Sequence, residues 1–495
     1  MRRLAVIASC LCLTWCGLNI AAKTRIMLIS DPHVMGPGLL INEGESWEEA
    51  ICYDRKLNDY SRAIYDEAIA IALREKPDLF LISGDLTKDG EWVSHLYVVQ
   101  KLQELKAAGI KALVIPGNHD MGTDEALYYD GDYAYEADTI NAQQFAELYK
   151  DFGYGDDAER DPETLTWCCE PIDGLVIIGI DSGHEKDPLN GVISKASFDW
   201  VTERAHTAKN AGKLVFVMMH HTMFPHVTNV EKFSSTYTVK LGVPAEGGSY
   251  TYYDYRSVCR RLSNAGVSVA FSGHVHASDI AKDSNNDLTR TIFDICTATC
   301  AAYPNPYRLL TLNDDGATMR IQTRYISELS GVDNFASLAE NRMRQGLVNL
   351  VYSNTYNQEI SDLFADLFLM HVVGNEPENP SQQEFLEKYE EYLPQMKADV
   401  QINNYLNAYG VSFDELTQMV HSLLEDKSNY GDPDRESCED DLNTTIPIRG
   451  DGWTAVRSIV RETPDEGWYT LQGLRIPKPS RKGLYIHGGK LSVVK

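Results

Sequence analysis

Five short apolar runs in this chain each stop at side chains able to bind a metal ion or move a proton. Ile26-Met27-Leu28-Ile29-Ser30 ends at Asp31-Pro32-His33, and Leu79-Phe80-Leu81-Ile82-Ser83 ends at Gly84-Asp85. Ala112-Leu113-Val114-Ile115 ends at Pro116-Gly117-Asn118-His119-Asp120, a turn carrying an amide, an imidazole and a carboxylate in a row. Leu214-Val215-Phe216-Val217-Met218-Met219 ends at His220-His221, and Val267-Ser268-Val269-Ala270-Phe271 leads to Gly273-His274-Val275-His276. Short runs with so little polar alternation predict strands buried on both faces, as in a parallel sheet.

Between these runs the apolar spacing turns helical. Ile64, Ala68, Ile71 and Ala72 predict a helix within 57–75, and further helices are expected at 91–108, near 141–152, at 195–210 and near 254–264. A sixth run, 175–180, ends at Asp181-Ser182. Strands alternating with helices define an α/β domain. Residues 34–56 read as a long surface loop, and 288–325 as edge strands of a sheet.

Ligand sites of open α/β sheets collect past the C-terminal ends of the strands, so the run-ending residues can converge although they lie far apart in the chain. On an extended backbone residues i and i+2 point to the same side, which predicts a pincer at Asp31/His33 and another at His274/His276. Asp31, His33, Asp85, Asn118, His220, His274 and His276 are more donors than one tetrahedral ion takes. They fit two ions with Asp85 between them. Mixed nitrogen and oxygen donors without thiolate suit Mn, Fe, Zn, Co or Ni and disfavour Ca.

The ordered series Asp31-Pro32-His33, Gly84-Asp85, Gly117-Asn118-His119-Asp120, His220-His221 and Gly273-His274-Val275-His276 resembles the calcineurin-like metallophosphoesterase superfamily. The resemblance covers residues 25 to about 325. It implies an αββα sandwich of two sheets flanked by helices. It puts Asp31, His33, Asp85 and His276 on one divalent metal ion, and Asp85, Asn118, His220 and His274 on a second. His220 is preferred to His221 because it comes first after the strand. His119 would face the scissile phosphate as general acid, with Asp120 or Asp89 orienting it. Many members carry an acid three residues after the bridging Asp, where this chain has Lys88. The chemistry implied is attack on phosphorus by a hydroxide shared between two cations ~3.5–4 Å apart, its pKa lowered from ~15.7 towards neutrality.

The expected substrate is a small phosphoester, with diesters favoured. A phosphomonoesterase, a nucleotide pyrophosphatase and a non-catalytic binding protein of the same fold are the competing readings. The formal net charge of −27 argues against a nucleic-acid polymer as partner. Tyr303 and Arg308, in Tyr303-Pro304-Asn305-Pro306-Tyr307-Arg308, are candidates for holding a substrate base or phosphate. His95, His184 and His226 read as packed or surface histidines. Asp181-Ser182-Gly183-His184 lacks the Gly-x-Ser-x-Gly elbow of a serine nucleophile.

Arg2 and Arg3, an apolar stretch from Leu4 to about Ile20 and the small pair Ala21-Ala22 read as a signal peptide over residues 1–22. Its removal would take the charge to −27 − 2 = −29. A secreted or periplasmic location follows, with no membrane span retained. Ile7-Ala8-Ser9-Cys10 leaves too little apolar core before the Cys to favour a lipid anchor. Residues 23–330 form the expected catalytic domain and 331–495 a mainly helical cap with a short irregular tail. In the cap, helical spacing spans 333–426 and Ser412-Phe413-Asp414-Glu415 is a capping box. Seven cysteines remain outside the signal, an odd number with no CxxC spacing. Cys296 and Cys300 read as either a pair or small apolar fillers.

Overall fold

The computed structural model describes residues 24–449 apart from 184–190, 228–237, 246–249, 285–290, 314–315, 375–380 and 425–440. Beyond 449 it describes only the backbone of short strands between 468 and 494. The signal-peptide expectation, His184 and Cys438 therefore lie outside the described residues. Among the described residues no helix is long and apolar enough to cross a membrane.

The apolar runs become the central strands of two sheets. In the six-stranded sheet Arg25–Ile29 pairs in parallel with Leu79–Ile82, which pairs in parallel with Lys111–Val114. Pro306–Leu312 lies antiparallel on the other side of Arg25–Ile29, followed by Thr318–Tyr325 and Asn443–Pro447. In the seven-stranded sheet Leu175–Ile180, Leu214–Met219, Val269–Ser272 and Thr291–Cys296 run in parallel at the centre. Asp279–Ser284 borders them on one side, and Trp167–Ile172 with Glu159–Arg160 on the other.

Strand alternation assigns the layers. Ile177, Phe216, Met218 and Phe271 share one face and lie in one core with Leu28, Leu81 and Leu113 of the six-stranded sheet. Their neighbours Ile178, Val215, Val217 and Met219 face outward onto Phe198, Val201, Val258 and Leu262 of helices Lys195–Asn210 and Tyr255–Ala265. The helices Ser61–Glu75 and Trp92–Ala107 pack Ile64, Ala68, Val98 and Leu102 into the first core from the opposite side. The result is the αββα order of helix, sheet, sheet and helix that the resemblance implies.

Two expectations change. The 34–56 loop contains a short strand, Leu40–Asn42, and a helix, Glu45–Cys52. Acidic Glu45 and Glu48 in the helix's first turn hid it as a surface loop, although Trp47 is buried against Met35, Leu39 and Tyr129. Strands 291–296 and 306–312 are interior rather than edge strands, because each has a hydrogen-bonded neighbour on both sides.

The C-terminal region is helical over Phe335–Thr355, Gln358–Val373, Ser381–Ala398, Val400–Ala408 and Phe413–Leu424. The capping box forms, with the Glu415 amide donating to Ser412 Oγ at 3.2 Å and the Ser412 amide to the Glu415 carboxylate at 2.8 Å. Met343, Leu347 and Val372 pack on Ala302, and Val227 enters the core formed by Leu363, Tyr389 and Leu423. The chain divides into two compact units, Met1–Asp451 and Gly452–Lys495, so these helices belong to the same unit as the two sheets. Among the described residues Cys296 and Cys300 are both buried free thiols.

Candidate metal centre

The strand ends carry the side chains inward through an unusual backbone. Asp31, His33, Asp85, His274 and His276 have φ of 48°, 39°, 48°, 69° and 58°. The pincers are therefore not built on extended backbone as expected. Left-handed φ is uncommon outside glycine and persists where surrounding bonds over-determine it. Here the Asp31 amide donates to Gly84 O at 3.2 Å, the His33 amide to Asp85 O at 3.0 Å and the Gly273 amide to His220 O at 2.9 Å. The strand-end turns are tied to one another. A Cβ at Gly117 would strike Asp85 Oδ1, and one at Gly273 would strike Asp31 Oδ2 and Ser30 Oγ. Both glycines leave the carboxylates their room.

Two groups of donors result. Asp31, His33, Asp85 and His276 bring one ligand atom each to within 4.8 Å of one another. In this group His276 Nε2 is 3.3 Å from Asp31 Oδ1 and 3.1 Å from His33 Nε2. In the second group Asn118 Oδ1 is 3.1 Å from His220 Nε2 and 2.9 Å from His274 Nδ1. Asp85 Oδ2 stands between the groups, 3.6 Å from His33 Nε2 and 3.2 Å from His220 Nε2. His220 Nδ1 lies 2.9 Å from the Ser83 carbonyl, which can only accept, so Nδ1 carries the proton and Nε2 points inward.

Charge separates these groups in kind. Burial alone would raise Asp85, but the His220 and His119 imidazoles hold it well below the usual carboxylate range. Burial opposes charge on His220, yet Asp85 and Asp31 outweigh it and push the imidazole up to about 10. Burial holds His33 and His276 low and takes His274 down to about 3. The neutral imidazoles of His33, His274 and His276, the Asp85 carboxylate and the Asn118 amide oxygen thus converge around the one charged imidazole, His220, with more acceptors than donors. That donor set fits divalent cations, and without thiolate it fits the harder transition metals.

His119 stands apart from the donor groups. Its amide donates to Asp85 Oδ1 at 2.8 Å, while its Nδ1 is 2.8 Å from Asp89 Oδ1. Burial lowers the imidazole, but Asp85 and the Asp89 hydrogen bond win and raise it. With Nδ1 on a carboxylate, Nε2 is the nitrogen left to face a substrate. Asp89, His119 and Glu125 also place donor atoms within 4.8 Å of one another. The Lys88 ammonium already sits on Asp89 Oδ2, so the trio reads as His119 with acids around it.

Asp120 does not orient His119. Its Oδ2 accepts from the Gly117 amide at 2.8 Å and the Leu86 amide at 3.1 Å, and its Oδ1 accepts from the Thr87 amide and hydroxyl at 2.9 Å. It fastens the 117–120 turn to the 85–87 turn. Arg308 does not reach the centre either. It is fully buried and donates to Asp441 O at 2.6 Å and Cys296 O at 2.8 Å. Its place inside a central strand of the sheet is the reason. Tyr303 is half-buried against the apolar core. His95 is buried between Tyr149 Oη and Asp120 O, each at 2.9 Å, and His221 Nδ1 meets Ser182 Oγ at 3.0 Å behind His274.

Serines that close the apolar runs escaped the sequence reading. Ser83 Oγ donates to Ser30 Oγ at 2.8 Å, and Ser30 Oγ contacts Asp31 Oδ2. Both runs end Ile-Ser, which is the signal that was available. Thr299, whose Oγ1 donates to Asp31 O at 2.6 Å, carried no such signal.

The calcineurin-like phosphoesterase family matches this chain over residues 24–278. A cyanobacterial protein described as a "probable cyclic nucleotide phosphodiesterase", from Synechococcus sp. (strain WH7803), is 22% identical over 205 residues. That match covers 41% of this chain and 60% of the relative's length. Among solved structures, a dimetal phosphatase from Danio rerio is 13% identical with a TM-score of 0.41, covering 61% of this chain and 96% of that one. A purple acid phosphatase from yellow lupin (Lupinus luteus) seeds is 11% identical with a TM-score of 0.37, covering 63% of this chain and 53% of that one.

Proposed function

This chain belongs to the calcineurin-like phosphoesterase family, and from that premise we propose that it hydrolyses small phosphodiesters at a centre of two divalent cations. The observation that carries the reading is the pair of donor groups sharing Asp85, with His119 held beside them by Asp89. Asp31, His33, Asp85 and His276 would hold one ion, and Asp85, Asn118, His220 and His274 the other. Bound there, the ions would acidify a water and neutralise phosphoryl oxygens. His119 supplies the remaining need, a proton for the leaving oxygen, from Nε2. Asp89 keeps the ring turned and favours its protonated form. The choice of diesters is supported by the described activity of the cyanobacterial relative.

Elemental analysis of metal-loaded protein should approach two ions per chain. Turnover of a diester panel should exceed that of the matched monoesters. Two ions with faster monoester turnover would move the reading to a phosphomonoesterase, and no turnover would move it to a binding protein. The basic, apolar and small-residue order of positions 1–22 supports export. Retention of Met1 in the secreted form would overturn that part.

A further inference from the structure

Lys88 occupies a place where an ammonium is costly. It is 6% exposed, and lysine is rarely so buried unless paired. Its backbone is fixed beside the first donor group, since the Val34 amide donates to Leu86 O and the Lys88 amide to Val34 O, both at 3.1 Å. Its Nζ contacts Asp89 Oδ2 and stands 5.8 Å over the ring of Tyr129. Asp89 is buried as well, and its other oxygen meets His119 Nδ1 at 2.8 Å. Its own amide donates to Glu91 Oε2 at 3.2 Å.

Each oxygen of Asp89 thus has one assigned cationic or N–H partner. A carboxylate held at one oxygen only can rotate about its terminal torsion, which is broad and nearly two-fold. Held at both, it presents a fixed plane. The imidazole that shares that plane is then fixed too, and only a quarter of its side chain reaches solvent.

We propose that Lys88 is a positioning residue for the proton-transfer step, clamping the far oxygen of Asp89 so that His119 Nε2 is aimed at the leaving oxygen. The inference rests on the reading of His119 as general acid. It predicts a fault specific to substrates that need the proton. An alkoxide leaves poorly without one, whereas p-nitrophenolate leaves readily as an anion.

The test uses the full metal-loaded enzyme and compares kcat/KM for an alkyl phosphodiester and for bis(p-nitrophenyl) phosphate. Lys88→Met keeps the length of the side chain and removes its charge. It should slow the alkyl diester about tenfold, a fraction of the ~10²–10⁴ that a general acid contributes, and change the p-nitrophenyl diester by less than about twofold. Metal content should stay at the wild-type value, and Lys88→Arg should restore most of the lost rate. Equal losses on both substrates, or no loss on either, would overturn the proposal. If Lys88→Met does not fold, Lys88→Gln, which retains an N–H donor without the charge, decides by the same ratio. His119→Ala is the control. If it fails to separate the two substrates, the general-acid reading itself falls. If it separates them and the Lys88 variants do not, only the clamp falls.

Discussion

His220 and His226 lie close together after the same strand, and each is buried between two carboxylates. His220 Nε2 is 3.2 Å from Asp85 and 3.9 Å from Asp31. His226 is 3.1 Å from Asp279 through Nδ1 and 3.2 Å from Asp294 through Nε2. Burial opposes charge on both, and the carboxylates push both up to about 10. Their surroundings differ. Asp294 also accepts from the Met223 amide at 2.6 Å, the Phe224 amide at 3.3 Å and Ser272 Oγ at 2.7 Å, so donors meet its lone pairs. Around His220 the neighbours are Asn118 Oδ1 and His274, which add acceptors. A buried imidazole between carboxylates is therefore not in itself a metal site. The surplus of acceptors over donors decides.

The largest effect should come from breaking the shared member of the first region. Asp85→Asn should reduce metal content at both positions and cut kcat/KM on the order of 10³-fold or more, because it touches both donor groups. Intact metal content and rate in that variant would mean the two groups are as inert as the His226 triad.

Next in size is His119→Ala, which should slow an alkyl diester by ~10²–10⁴ while leaving both ions bound. The same substitution at His274 should lose metal and slow alkyl and p-nitrophenyl diesters alike. Metal loss in His119→Ala would place that ring among the ligands.

His226→Gln sharpens the comparison from the other side. It leaves Asp279 and Asp294 without their buried cation, which costs about 3–5 kcal/mol in comparable pairs. Denaturant unfolding should show that loss, while the metal content of the folded protein stays unchanged. A stable variant that has lost an ion would join the two regions into one site.

The smallest effect is the pH dependence of the same triad. The folded-state pKa of His226, about 10, lies above its ordinary value of 6.5. Its contribution to stability is thus full below about 6.5 and is lost as pH rises towards 10. Its facing groups are Asp279, Asp294 and His371, and burial holds His371 at about 4, neutral throughout this window. Melting curves between pH 6.5 and 10 should fall more steeply for wild type than for His226→Gln. Parallel curves would show that the His226 charge adds nothing.

Much of the αββα sandwich was legible because its strands are buried on both faces and so appear as uninterrupted apolar runs. The helix over residues 45–52 was not legible, because its burial rests on Trp47 alone among acidic neighbours. The donor residues were legible as types at strand ends. Their backbone was not, since nothing in Asp-Pro-His or His-Val-His announces left-handed φ. That conformation comes from hydrogen bonds between turns remote in sequence.

The carboxylates near His119 mark the boundary most sharply. Local sequence places Asp120 next to that histidine and Asp89 thirty residues away, and both were candidates to orient it. In the fold, the amides of Leu86, Thr87 and Gly117 and the Thr87 hydroxyl converge on Asp120 and fill its acceptors, leaving Asp89 for the imidazole. The order of strands, helices and donor types was determined by the sequence itself, because burial and residue chemistry are properties of each segment. Which acid serves which partner was decided only by tertiary structure. A hydrogen bond goes to the acceptor that the surrounding backbone has not already filled.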